Sequence, residues 1–351
     1  MTTTRADVTP TIQILFEKLA ASVIKIQEKG RVLFIHKDSN LSTAYKITTY
    51  SSPVGITDIS GTLKQSVIDI FDGNVKKVIL FQTKTDMDDV AAQLAIQKFD
   101  WMFSDEASLQ SAVANWAHTN KKFAVVYNVA KDSEYVVNFV TPSAVLADGT
   151  TTQATVALLP YVTGQIAGCP YSRSIMGASM AEQYSNCSEP SSYAEGTCFI
   201  EYDDDIECVR FANGYNSLTT VGANQTEDMK KITIAECKMR VSTDLRTAFK
   251  KSYQGKYKNT RQNQQLFFDA CKYGYFRELE KLGVLDPNYD NNIQIDVEEQ
   301  RAMWLASGKS EAADWSEEEV RNNTFGDFIV PVCDIKFLDA IESMKMTVKM
   351  F

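Results

Sequence analysis

The chain has 351 residues and a formal net charge of −9. That length can bury the cores of two domains with extensions, and the acidic balance argues against nucleic-acid binding as the global role. Seven cysteines without a Cys-x-x-Cys pair, a polar opening in place of a signal peptide and no apolar run of bilayer length point to reduced thiols, synthesis in a cytoplasm and no membrane insertion.

Residues 1–8 are Thr-rich, and Thr11-Ile-Gln-Ile-Leu-Phe then places Ile12, Ile14 and Phe16 on one side of a strand with no obvious partner nearby. From Gly30 strands and helices alternate. Arg31-Val-Leu-Phe-Ile-His reads as a buried strand, and Ser60 caps a helix through Val67, Ile70 and Phe71 that Asp72-Gly73 ends. Lys77-Val-Ile-Leu-Phe-Gln is the next strand, residues 88–98 a helix, and Phe99-Asp-Trp-Met-Phe a strand. Residues 105–118 form a helix with Leu109, Val113 and Trp116 inside, followed by the strands Phe123-Ala-Val-Val-Tyr-Asn and Tyr135-Val-Val-Asn-Phe-Val. This alternation predicts an α/β core with a mainly parallel mixed sheet covered on both faces. Residues 152–167 read as an apolar helix interrupted by Pro160, and Cys198-Phe-Ile-Glu-Tyr with Cys208-Val-Arg-Phe as a hairpin around Asp203-Asp-Asp.

Further on, Leu245, Ala248, Phe249, Ser252 and Tyr253 fall on one helix face, with Gly255 as a left-handed cap. Phe268, Cys271, Tyr275, Leu279 and Leu282 form a second stripe ended by Gly283. Between Lys238 and Arg261 stand eight basic residues against Asp244 alone, a segment charge of +7, which leaves −16 on the rest of a chain whose total is −9. Such a block is either a solvated helix face or a docking surface for an acidic partner. Asp296 with Glu299 and Ser316 with Glu319 read as capping boxes. The chain closes in extended sequence, where Met344, Met346, Val348 and Met350 alternate with Lys345, Thr347 and Lys349.

Catalytic chemistry is hard to assemble. His36 sits in a strand, His118 near a helix end, and neither has metal-ligand spacing. Gly177-Ala-Ser-Met-Ala lacks the second glycine of a nucleophile elbow, and Gly164-Gln-Ile-Ala-Gly168 is not followed by the Gly-Lys-Thr of a phosphate loop. Asp286-Pro-Asn-Tyr-Asp-Asn-Asn-Ile mimics the start of a calcium loop, but Asn291 and Val297 occupy the positions that require Gly and Glu. These readings leave no catalytic residue, cofactor or metal ligand.

The order Ile234-Ala-Glu-Cys-Lys-Met-Arg, Asp244-Leu-Arg-Thr-Ala-Phe-Lys-Lys-Ser-Tyr-Gln-Gly-Lys, Gln264-Gln-Leu-Phe-Phe-Asp-Ala, Tyr275-Phe-Arg-Glu-Leu-Glu-Lys-Leu-Gly-Val-Leu-Asp-Pro and Ile293-Gln-Ile-Asp-Val-Glu-Glu-Gln-Arg resembles the C-terminal region of phage contractile tail sheath proteins. Phage-tail-like bacteriocins and prophage particles of Gram-positive hosts share it, and the likeness extends more weakly over most of the chain. The resemblance implies a structural protein of the virion tail, or of a tail-like particle, assembled in the host cytoplasm. It implies an N-terminal arm over residues 1–25, an α/β core over 26–232, an α+β tube-proximal domain over 233–330 and a C-terminal strand arm over 331–351. The implied partners are further copies in stacked hexameric rings, the inner tail tube protein, and baseplate and tail terminator proteins. Arg246, Lys250, Lys251, Lys256 and Lys258 would then dock the tube. Ile12, Ile14 and Phe16 with Met344, Met346, Val348 and Met350 would add strands to neighbouring subunits. The competing classes are a soluble hydrolase-like enzyme on an α/β scaffold and another tail or baseplate component.

Overall fold

The computed structural model describes residues 24–26, 29–223 and 225–350. The apolar runs of the first half become strands β1 (Arg31–Lys37), β3 (Lys77–Thr83), β4 (Trp101–Ser104), β5 (Phe123–Tyr127) and β6 (Val136–Phe139), with β2 (Tyr45–Tyr50) between the first two in sequence. They form one sheet in the order β2-β3-β1-β4-β5-β6, parallel throughout except for antiparallel β2 at one edge. Runs such as Val32–Ile35 are buried on both faces because helices cover both. Helices α1 (Gly61–Phe71) and α4 (Leu159–Gly168) lie on the side of Val32, Phe34, Leu80 and Phe103. Helices α2 (Met87–Ala95) and α3 (Gln110–Asn120) lie on the side of Leu33, Ile35, Phe81 and Met102. The α/β core expected from the alternating pattern is borne out.

Residues 152–167 are not one helix. Thr152–Ala154 forms strand β8 beside β7 (Ser143–Leu146), Thr155 takes a left-handed φ of 54°, and α4 opens only at Leu159. Pro160 therefore sits in the first helical turn, where its missing N–H costs nothing, rather than breaking a helix. The Gly164-x-x-x-Gly168 spacing is explained by packing. A Cβ on Gly164 would lie 2.4 Å from the Ile70 carbonyl oxygen, and one on Gly168 would lie 1.6 Å from the Gly73 carbonyl oxygen. Helices α1 and α4 thus meet backbone to backbone, which only glycine permits. Strand β9 (Tyr184–Cys187) completes a small sheet with β7 and β8, and β10 (Ile200–Asp203) pairs with β11 (Cys208–Phe211) as the expected hairpin. Asp203 makes the turn by accepting the amides of Asp205 and Ile206.

Helix α5 (Ile232–Ser252) begins well before the stripe that starts at Leu245. It runs from the larger unit (Ile26–Thr243, Leu279–Asn288, Lys336–Phe351) into a second unit that contains Asp244–Glu278 and Tyr289–Ile335. In the second unit, α6 (Arg261–Asp269) is capped by the Thr260 hydroxyl and passes into a π-helical stretch, Ala270–Phe276; α7 (Arg277–Lys281) follows and spans the boundary at Glu278. Strand β12 (Asn292–Ile295) pairs antiparallel with β13 (Pro331–Asp334), so part of the extended closing sequence lies in a sheet of its own unit. Between them come α8 (Val297–Ala306), where the Asp296 carboxylate accepts the Glu299 amide, and α9 (Glu317–Asn322), where Ser316 and Glu319 form a reciprocal capping box. Cys169, Cys198, Cys237 and Cys271 are buried, Cys187 and Cys208 half-buried, Cys333 exposed, and all seven are free.

Candidate assembly interface

Helix α5 is rooted in a buried polar cluster. Glu236 accepts hydrogen bonds from Lys29 Nζ at 2.5 Å and Trp101 Nε1 at 2.6 Å. Burial pushes the Glu236 carboxyl up, and the Lys29 ammonium draws it back. One turn on, Arg240 donates to the Tyr171 hydroxyl at 2.6 and 2.9 Å, and Arg31 pairs with Asp100 at 2.7 Å. Charges that look like a solvated face in the sequence therefore fix the first half of α5 to the sheet.

The far half of α5 carries the basic block. Arg246, Lys250 and Lys251 are exposed on its last turns, and Lys256 and Lys258 are exposed beyond Gly255, whose φ is +73°. Cations at a helix C-terminus are favoured by the helix dipole. Of the remaining basic residues, Lys238 pairs with Glu134 at 2.8 Å, Arg240 bonds Tyr171, and Arg261 pairs with Glu318 at 2.5 Å. On the opposite side Tyr253 is buried and packs edge-on to Phe267 at 4.9 Å, while Phe249 meets Phe267 at 5.5 Å. The apolar stripe and the cationic side of the helix are both where the periodicity puts them.

At the other end of the chain, the segment after β13 is tied down and then released. Phe337 bridges Leu285, the Leu338 amide donates to the Val284 carbonyl at 2.9 Å, and Lys336 pairs with Asp286 at 3.0 Å. Lys231 then pairs with Asp339 and, at 2.8 Å, with Glu342. Past Glu342, residues 344–350 belong to no strand of the single chain, and Met344, Met346, Val348 and Met350 are all at least 67% exposed. Sequence reasoning missed the Lys231 clamp; the acidic pair Asp339 and Glu342 just before the alternating tail was its one signal. Ile12, Ile14 and Phe16 lie outside the described residues.

His118 belongs to no catalytic set. His118 Nδ1 lies 2.9 Å from Ser133 Oγ, but Ser133 is 2% exposed and accepts the Tyr135 amide, and the adjacent Asp132 accepts the amides of Thr219 and Thr220. No nucleophile, base and orienting acid are connected there. The calcium-loop mimic is a turn, in which the Asp286 carboxylate accepts the Asn288 amide and pairs with Lys336. No helix among the described residues is long and apolar enough to cross a membrane.

The fold, an α/β core with a small helical and β unit, is similar to that of solved sheath proteins of contractile particles. Residues 224–351 match the family described as phage tail sheath C-terminal domain. Over its length the chain is 26% identical to the tail sheath protein of Clostridium phage phiCD119, covering 97% of this chain and 98% of that one. The anti-feeding prophage helical sheath in its contracted state superposes with a TM-score of 0.64 at 13% identity, over 97% of this chain and 98% of that one. The sheath tail protein Lin1278 from Listeria innocua gives 0.62 at 13% identity, over 79% and 91%. The resemblance to tail sheath proteins read from the sequence is borne out, and these relatives are structural proteins rather than enzymes.

Proposed function

We propose that the chain is the structural subunit of a contractile tail sheath, stacked as hexameric rings around an inner tube in a virion tail or tail-like particle. The observation that carries this reading is the likeness to a tail sheath protein across nearly the full length of both chains. On contraction the sheath drives the tube through the target envelope, with the free energy supplied by better burial between subunits rather than by nucleotide hydrolysis. Baseplate and tail terminator proteins bound the stack; a chain of the anti-feeding prophage baseplate, matched at a TM-score of 0.61 and 12% identity, supports the first contact.

Two surfaces carry the assembly in this reading. Met344, Met346, Val348 and Met350 leave the subunit past Glu342 and add a strand to a neighbour's sheet, with Ile12, Ile14 and Phe16 doing the same from the other end. Such head-to-tail exchange is heterologous and generates rings and helical arrays. Arg246, Lys250, Lys251, Lys256 and Lys258 face the tube and hold the extended state by charge complementarity. Negative-stain microscopy of the expressed chain tests the proposal. Cylinders of stacked rings are expected, and dispersed globular particles at high protein concentration would overturn it.

A further inference from the structure

The central sheet changes direction between β1 and β4. From β1 the chain builds toward β3 on one side, then crosses to β4, β5 and β6 on the other. In open α/β sheets the crevice beyond the carboxyl ends of the strands at such a point is the usual ligand position. Here it holds His36, the penultimate residue of β1, and Asp105 and Glu106, which directly follow β4.

One ligating atom from each of His36, Asp105 and Glu106 lies within 4.8 Å of the others, and all three side chains are half-buried. His36 Nδ1 stands 2.8 Å from Asp105 Oδ2. Asp105 Oδ1 is buried without a hydrogen-bond partner. A second, independent feature lies alongside. Gln82 is in register with His36 on the adjacent strand, so both side chains share one face of the sheet. Gln82 is 6% exposed, its Nε2 reaches Asp38 at 3.5 Å, and its Oε1 is buried without a partner. Two buried oxygens lacking donors carry a desolvation cost that a bound ligand would remove. Asp38, Asp105 and Glu106 give the crevice an excess of negative charge, since the nearby Lys37 ammonium is taken by Asp86 at 2.7 Å.

We propose that this crevice binds a divalent transition-metal cation, with His36, Asp105 and Glu106 as ligands and the Gln82 amide oxygen beside them. Imidazole, carboxylate and amide oxygens without thiolate suit manganese or zinc among the first-row ions. The cation would tie the end of β1 to the loop after β4, a link between residues 69 positions apart in sequence. Because it binds the folded chain, it raises the melting temperature by mass action.

The test uses the full chain and Mn²⁺ alone, which avoids competition from the seven thiols. Titration calorimetry and the loss of the free-ion spin-resonance signal are expected to report one Mn²⁺ per chain and a rise in Tm with added Mn²⁺. Glu106→Gln and His36→Gln should each weaken binding at least tenfold, and Gln82→Leu several-fold, with circular dichroism unchanged in Glu106→Gln. No Mn²⁺ uptake at millimolar concentration, or uptake that Glu106→Gln and His36→Gln leave intact, overturns the proposal.

Discussion

Lys231, just before α5, holds the Glu342 carboxylate at 2.8 Å and so marks where the C-terminal tail leaves its own subunit. Residues 343–350 are exposed, and Ile341 next to the clamp is 97% exposed. Removing residues 343–351 should therefore cost little stability, within about 0.5 kcal/mol, since residues 343–350 are all exposed. In the proposed sheath it should abolish polymerisation. Thermal melting and electron microscopy of the truncated chain check both halves, and cylinders of normal length from the truncation would sink the strand-exchange assignment.

Charge reversal at Lys250 and Lys251 tests the basic block. Exposed ion pairs are worth about 0–1 kcal/mol each, but a ring repeats them. Lys250→Glu with Lys251→Glu should leave the monomer's melting temperature unchanged, because Ala248 and Tyr253 pack on the other side of the helix. It should lower the fraction of extended, tube-filled particles or make them contract early. High salt should push the wild type the same way by screening. Equal counts for the two proteins at low and high salt would reduce the block to a solvated face.

The glycine contact between α1 and α4 makes a sharp stability prediction. Gly164→Ala places a Cβ 2.4 Å from backbone at Ile70, which cannot move aside as a side-chain tip could. The expected loss is about 1–3 kcal/mol, the usual range for overpacking. Gly274→Ala, where a Cβ meets nothing within 4 Å, is the matched control and should change stability far less. Urea denaturation of both variants decides the point; comparable midpoints would refute it.

Asp69 gives a pH signature. It is 2% exposed, and burial pushes its pKa up to about 6, with Asp72 adding to the rise and the Gln65 hydrogen bond opposing it. A carboxyl raised above its unfolded value favours folding most at low pH, and that contribution is lost as pH rises through about 6. Asp69→Asn should therefore match the wild type at pH 4 and exceed it by about 2–3 kcal/mol at pH 7.5. Denaturation midpoints across that window measure it, and a constant difference at every pH would mean the carboxylate is not the cause.

How much of this was legible in the sequence depends on what each residue's neighbours are. Strands β1, β3, β5 and β6 are buried on both faces, so Val32–Ile35 and Phe123–Val126 announce themselves as apolar runs. Strand β2, Tyr-Lys-Ile-Thr-Thr-Tyr, is half-exposed at the sheet edge and offers no such run. Helix α5 was legible from Leu245 onward, where one face is apolar. Its first half hides because Glu236 and Arg240 are buried against Lys29 and Tyr171, partners far away in the chain. The candidate cation crevice was invisible for the same reason: His36 and Asp105 meet only after the sheet forms.

The free cysteines decide how such a chain ages once it meets air. Burial pushes the Cys198 and Cys237 thiols up to about 12 and that of Cys187 up to about 11. At neutral pH a thiol near 12 is thiolate in roughly one part in 10⁵, and the thiolate is what oxidants attack. The thioethers of Met344, Met346 and Met350 stand in solvent on the unassembled chain, where oxidants reach them. Sulfoxide there turns an apolar row polar. A subunit left waiting in solution would spoil at its tail, whereas one whose tail is covered by a neighbour would keep.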